Sequence, residues 1–314
     1  MSEPLASTRR SSVKISDWLE LIRFSHTVFA LPFAALATVM AFATPLSSGQ
    51  YPSFRIRDIL GILLCMVFAR SAAMAFNRLV DHHIDAENPR TANRHLPAGV
   101  LSRRSVLAFV VLCSIGFVAS TTLFLPNRLP LAGSIPILAF LCGYSLAKRF
   151  TSASHLWLGV ALSLSPICAW VAIRGSEVIA FPNDILIPAV LAAAVAAWVA
   201  GFDIIYACQD APFDAGKGLH SIPSRYGIGG ALRFAAVFHL AMLGLLGILL
   251  IVGRSAGLGP LFAAVWLVIA AMVFWQHSLV RPDDLDRVNQ AFFNANAAIS
   301  LTLLVAGTID CLWV

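Results

Sequence analysis

Charge is what this chain has least of. Only 12% of its 314 residues are Asp, Glu, Lys or Arg, while 59% are hydrophobic and the mean hydropathy is +0.81; soluble domains carry about 25% charged residues. That excludes a domain living free in water. Paired cysteine motifs are missing too. The six cysteines, at 65, 113, 142, 168, 208 and 311, fall in or beside apolar stretches without C-x-x-C spacing, which excludes a zinc ribbon or a disulfide framework and leaves small core residues. No low-complexity tract and no separate soluble domain breaks the apolar pattern. The basic excess, 22 Lys and Arg against 16 Asp and Glu, is explained by loops facing anionic lipid, so no nucleic-acid partner is expected.

What is present instead is a series of apolar stretches. A run of roughly 17 to 25 such residues crosses a bilayer as a helix, and nine can be placed, at 24–44, 58–79, 104–124, 130–147, 155–173, 184–206, 230–252, 258–279 and 290–312. The expected fold is an all-α, multi-pass transmembrane bundle of nine helices. The ninth is the least apolar, interrupted by Asn289, Asn294, Asn296 and Asp310. Residues 1–21 read as a polar tail ending in a short interfacial helix, because Ile15, Trp18, Leu19 and Ile22 follow helical spacing; residues 22–314 read as one transmembrane domain. With nine spans, 16 of the 22 basic residues fall on the side of the N-terminus. The positive-inside rule puts that side in the cytoplasm and the chain in the cytoplasmic (inner) membrane.

Two acidic stretches lie on that same side. In N-R-L-V-D-H-H-I-D, Asn77, Asp81 and Asp85 are spaced four apart; in D-I-I-Y-A-C-Q-D-A-P-F-D, Asp210 and Asp214 are four apart, with Asp203 seven upstream. Spacing of i, i+4 puts side chains on one helix face, although Pro212 predicts a break inside the second stretch. Carboxylates and an amide oxygen suit Mg2+, which completes its shell with water and phosphate. The composition and these motifs together point to a diphosphate held through metal at a membrane surface.

The first motif runs on into N-P-R-T-A-N-R-H-L-P-A-G (88–99), the second into G-L-H-S (218–221), and Y-S-L-A-K-R-F-T (144–151) follows the fourth span. In these stretches the chain resembles the UbiA superfamily of intramembrane aromatic prenyltransferases, along essentially its whole length. The resemblance implies Mg2+-dependent transfer of a polyprenyl group from an allylic diphosphate to an aromatic acid in quinone synthesis. The acceptor expected first is 4-hydroxybenzoate, with 1,4-dihydroxy-6-naphthoate as the alternative. It implies Asn77, Asp81, Asp85, Asp210 and Asp214 as metal-holding and catalytic, and Ser221 as the serine of the second motif, a helix cap or a phosphate contact. Lys148, Arg149, Arg90, Arg94 and Lys217 are basic loop residues placed to clamp phosphate oxygens.

Two charges lie deeper. Arg70 precedes Asn77 by seven residues and Asp203 precedes Asp210 by seven, each about 10 Å further into the membrane on the same helix face. Charges at that depth face a cavity or a partner, so both are expected to line the acceptor pocket, the alternative being a mutual ion pair. Arg23 and His26, where the first span begins, and Tyr144 and Tyr206 are further acceptor-side candidates. His82 and His83 read as solvated. Arg78, His95 and His220 stand where many relatives have Asp, Pro and Lys, and fit a sub-branch with a bicyclic acceptor. A secondary transporter is the expectation from another class, but transporter sites lie near the midplane and these carboxylates gather at one face.

Overall fold

The computed structural model describes residues 14–22 and 30–313, and the elements among them are helical, with a lone bridge between Arg281 and Asp284. In chain order they are α1 (Ile15–Leu21), α2 (Leu31–Ala43), α3 (Ile56–Glu87), α4 (Arg103–Thr121), α5 (Leu129–Ala147), α6 (Ser154–Ala180), α7 (Leu186–Ala207), α8 (Ala211–Gly216), α9 (Ile222–Val252), α10 (Pro260–Ser278) and α11 (Val288–Trp313). Eight of the nine predicted spans are helices long and apolar enough to cross a membrane. The remaining one, predicted at 24–44, is described as the 13-residue α2. Arg23 and His26 lie outside the described residues.

Local chemistry sets the helix starts. Proline stands in the first turn of α2, α5, α9 and α10, where its missing N–H costs nothing and its fixed φ suits the helix. The span predicted from residue 230 starts earlier, at Ile222, because Ser221 caps it and Gly227 takes φ 69° at a kink; glycine reaches positive φ without a Cβ clash.

The most enclosed helix is α7, which packs against α6, α9 and α11. Its small residues, among them Ala192, Ala196, Ala200 and Gly201, let neighbouring backbones come close, the usual basis of helix association in lipid. At Gly159 of α6 a Cβ would stand 2.3 Å from the Ala196 carbonyl oxygen, so no larger residue fits without parting the two helices.

Two of the polar interruptions of the last span, Asn296 and Asp310, have partners. Asn296 is fully buried, and its Oδ1 accepts hydrogen bonds from Trp198 Nε1 at 2.9 Å and Gln276 Nε2 at 3.3 Å. Asp310 accepts the N–H groups of Gly259, Leu261 and Phe262 at 2.9, 3.3 and 2.7 Å, so one carboxylate caps α10 from the end of α11. Asp310→Ala leaves those donors unpaired and is expected to cost about 2 kcal/mol, read as a lowered melting temperature in detergent.

Candidate active site

Helix α3 passes the boundary predicted near residue 79 and continues to Glu87, so Asn77, Asp81 and Asp85 occupy successive turns of one face. Pro89 then disfavours the helical conformation at Asn88 (φ −88°, ψ 118°). The chain turns back over the motif. The second motif is broken where Pro212 predicted: α7 stops at Ala207, one tight turn covers Cys208–Asp210, and α8 restarts with Pro212 in its first turn. Asp210 becomes the residue preceding α8, and Asp214 lies in its first turn, where the helix dipole favours negative charge.

Each of the four motif aspartates meets a cation from another segment. Arg149 Nη2 donates to Asp81 Oδ1 at 2.9 Å, and Asn77 Nδ2 to Asp81 Oδ2 at 3.0 Å. Arg94 Nη1 donates to Asp85 Oδ1 at 2.6 Å. Arg90 forks onto Asp210, through Nε to Oδ1 at 2.8 Å and Nη2 to Oδ2, while its Nη1 reaches the Tyr206 hydroxyl at 3.0 Å. Lys148 Nζ stands 3.5 Å from Asp214 Oδ2. Burial works against the Arg90 charge, but hydrogen bonding to Asp210 and its negative charge outweigh burial and hold the guanidinium above its ordinary pKa.

Other expected residues are placed differently. Lys217 pairs with Glu87 at the end of α3 and with none of the four aspartates. Ser221 is fully buried as the residue before α9, its Oγ accepting the Ser224 N–H at 3.2 Å. Arg70 is half-buried on α3. Asp203 is held by His155, not by Arg70: His155 Nδ1 is 2.7 Å from Asp203 Oδ2. Asp203, Asp81 and Arg78 all lie within electrostatic range of the Tyr144 hydroxyl, so Tyr144 and Asp203 share one region with the first motif.

Three residues of this region escaped the sequence reading. Asn88 Nδ2 donates to Asp210 Oδ1 at 3.2 Å; its place before a proline was the available signal. Arg78, noted only as a departure, is buried, with Nη1 3.4 Å from Asn77 Oδ1 and 4.0 Å from Asp85 Oδ2. His155 carried no signal, because its partner is 48 residues away.

The UbiA prenyltransferase family model matches residues 30–298. The chain belongs to the UbiA prenyltransferase family. It is an integral membrane prenyltransferase, and the transporter alternative falls away. The UbiA family relatives include the 4-hydroxybenzoate octaprenyltransferase of Aeromonas salmonicida, 32% identical over 260 residues that cover 82% of this chain and 84% of that one. The enzyme of the same name from Vibrio cholerae is 29% identical over 308 residues, 96% of this chain and 100% of that one. Among solved structures, the UbiA homolog from Aeropyrum pernix K1 superposes with a TM-score of 0.79 at 32% identity, covering 92% of this chain and 98% of that one. The UbiA homolog from Archaeoglobus fulgidus bound to DMAPP and Mg2+ shares the fold, with a TM-score of 0.69 at 17% identity over 95% and 100% of the two chains.

Proposed function

We propose that this UbiA family member transfers a polyprenyl group from an allylic diphosphate to an aromatic acid, 4-hydroxybenzoate before 1,4-dihydroxy-6-naphthoate, in quinone synthesis. The observation that carries this reading is the meeting of four aspartates with four basic side chains drawn from segments as much as 120 residues apart. The named activity of the Aeromonas and Vibrio relatives supports the benzoate acceptor. The site faces the cytoplasm by the distribution of basic residues.

The donor set fits Mg2+. Asp85 Oδ2 is a buried oxygen without a hydrogen-bond partner, and a hard cation is the ligand that suits it. Among the described residues no three Asp, Glu, His or Cys side chains form a ready-made cage; Mg2+ takes one or two carboxylates and completes its shell with water and substrate phosphate. Asn77, Asp81 and Asp85 of the first motif and Asp210 and Asp214 of the second would hold Mg2+ ions between them. Bound there, Mg2+ supplies the positive charge that makes diphosphate a competent leaving group.

The chain's own groups do the rest. Arg90, Arg94, Lys148 and Arg149 stand at the carboxylates and offer N–H donors to the remaining phosphate oxygens, the arginines in forked pairs. The allylic C–O bond breaks with its electron pair leaving on the diphosphate. The ring carbon ortho to the hydroxyl forms the new C–C bond and then loses its proton to diphosphate or water. Asp203 accepts a hydrogen bond from the acceptor hydroxyl, Arg70 takes the acceptor carboxylate, and Tyr144 and Tyr206 line the region between.

The test is turnover by the purified full chain in nanodiscs with Mg2+ and farnesyl diphosphate, each acceptor in turn, read by mass spectrometry. Farnesylated 4-hydroxybenzoate is the expected product. Prenylation of the naphthoate alone would move the acceptor assignment, and no product from either acceptor with folded protein would overturn the reading.

A further inference from the structure

His155 lies in the first turn of α6 and is 0% exposed. A ring buried at that depth needs a partner on both nitrogens, since an unpaired polar atom pays its full desolvation. Both are supplied. The Ile222 backbone N–H meets Nε2 at 3.3 Å, and Nδ1 lies 2.7 Å from Asp203 Oδ2. A backbone amide can only donate, so Nε2 carries the lone pair and the proton sits on Nδ1, donated to Asp203. The start of α9 thus sets the tautomer of a ring on α6, and the ring in turn orients a carboxylate on α7.

That leaves Asp203 with one oxygen engaged and one available. Oδ1 accepts no hydrogen bond among the described residues, and the side chain keeps 16% exposure. The Tyr144 hydroxyl lies within electrostatic range of Asp203, as it does of Asp81 of the first motif and of Arg78. A carboxylate free to turn about its χ2 would exchange its two oxygens; one bonded to a fixed N–H presents the same oxygen each time.

We infer that His155 is a positioning residue for the aromatic acceptor: it holds Asp203 by Oδ2 so that Oδ1 is presented to the acceptor's phenolic hydroxyl. This rests on the reading of the chain as a prenyltransferase acting on a phenolic acid. The hydroxyl donates to Oδ1, electron density on the ring rises, and the ortho carbon becomes the better nucleophile. No bond to His155 forms or breaks. The family's motif aspartates and basic loops handle the diphosphate, whereas His155 acts on the other substrate, so the two substrates should respond differently to its loss.

The test uses the full chain in nanodiscs with Mg2+, farnesyl diphosphate and 4-hydroxybenzoate. His155→Phe keeps the ring and removes the donor; His155→Asn restores a donor near the Nδ1 position. In His155→Phe the KM for 4-hydroxybenzoate is expected to rise about 10- to 100-fold, the worth of a hydrogen bond to a charged group. The KM for farnesyl diphosphate should stay within about twofold, and His155→Asn should recover most of the loss. In an Asp203→Asn background His155→Phe should add little, because coupled residues are non-additive. Equal rises in both KM values, no rescue by asparagine, or additive losses would overturn the positioning role and leave a packing residue. A wild-type protein that prenylates no phenolic acid would overturn the functional reading, and His155's role with it; product from wild type together with additive losses would overturn His155 alone.

Discussion

Alanine at Asp210, or at Asp81, is expected to lower prenyl transfer by about 10³-fold or more while the protein still folds. Charge stabilisation by a bound metal is worth several kcal/mol, and each 1.36 kcal/mol is about tenfold in rate. The two aspartates belong to different motifs, Asp81 on α3 and Asp210 in the turn before α8, so a loss at both positions tests whether the motifs act as one site. Asp210 bonds Arg90 and Asn88, so its removal also releases the guanidinium that ties the first motif loop to the second. Asp210→Asn separates these effects: it keeps a polar group for Arg90 and Asn88 but withdraws the charge. The measurement is single-turnover product formation with farnesyl diphosphate, beside a melting curve. Activity within tenfold of wild type in either alanine variant would break the two-motif site.

Arg174→Met is expected to destabilise the bundle by about 3 to 5 kcal/mol, the usual cost of leaving a buried charge without its partner. Arg174 is 1% exposed and donates to Asp184 through Nε and Nη2, the latter at 2.6 Å. It also donates to the carbonyls of Ala41, Thr44 and Pro45 at 3.2, 2.6 and 3.1 Å. One side chain therefore closes the end of α2 onto α6 and the turn before α7. Trp170 completes the cluster, its ring 5.2 Å from the guanidinium and its Nε1 donating to Asp184 at 2.8 Å. Methionine would leave Asp184 charged against Trp170 alone and three carbonyls unpaired. The loss should be partly recovered by pairing Arg174→Met with Asp184→Leu, since removing both charges costs less than removing one. Thermal denaturation in detergent reads both variants; a double variant no more stable than the single one would contradict the account.

Arg174 also shows where reading the sequence stopped. The fifth predicted span, which became α6, was expected to end at residue 173, with Arg174 outside the membrane, because a charge beside an apolar run marks an end. The helix instead runs to Ala180 with non-helical angles at Arg174 itself, and Asp184, ten residues on and past the helix end, compensates the charge. The motif helices were legible for the opposite reason. Asn77, Asp81 and Asp85 repeat at helical spacing within one segment, and Pro212 announces its own break. The i, i+4 rule and the geometry of proline are local and need no knowledge of the fold. Which basic residue meets which aspartate was not legible: Lys217 and Arg149 are both loop cations on the expected face, and only the turns of the chain bring Arg149 to Asp81 and Lys217 to Glu87. The His155 to Asp203 contact was beyond reach for the same reason.

The pairing of Arg90 with Asp210 sets an order on the birth of the protein. Their 120-residue separation means that a ribosome adding about 5 to 20 residues per second delivers the second partner roughly 6 to 24 s after the first. Asp81 and Asp85 can meet Arg149 and Arg94 earlier, while α7 is still being made. The first half of the site is thus partly paired before Asp210, and then Asp214, arrive to take up Arg90 and Lys148 and close the ring.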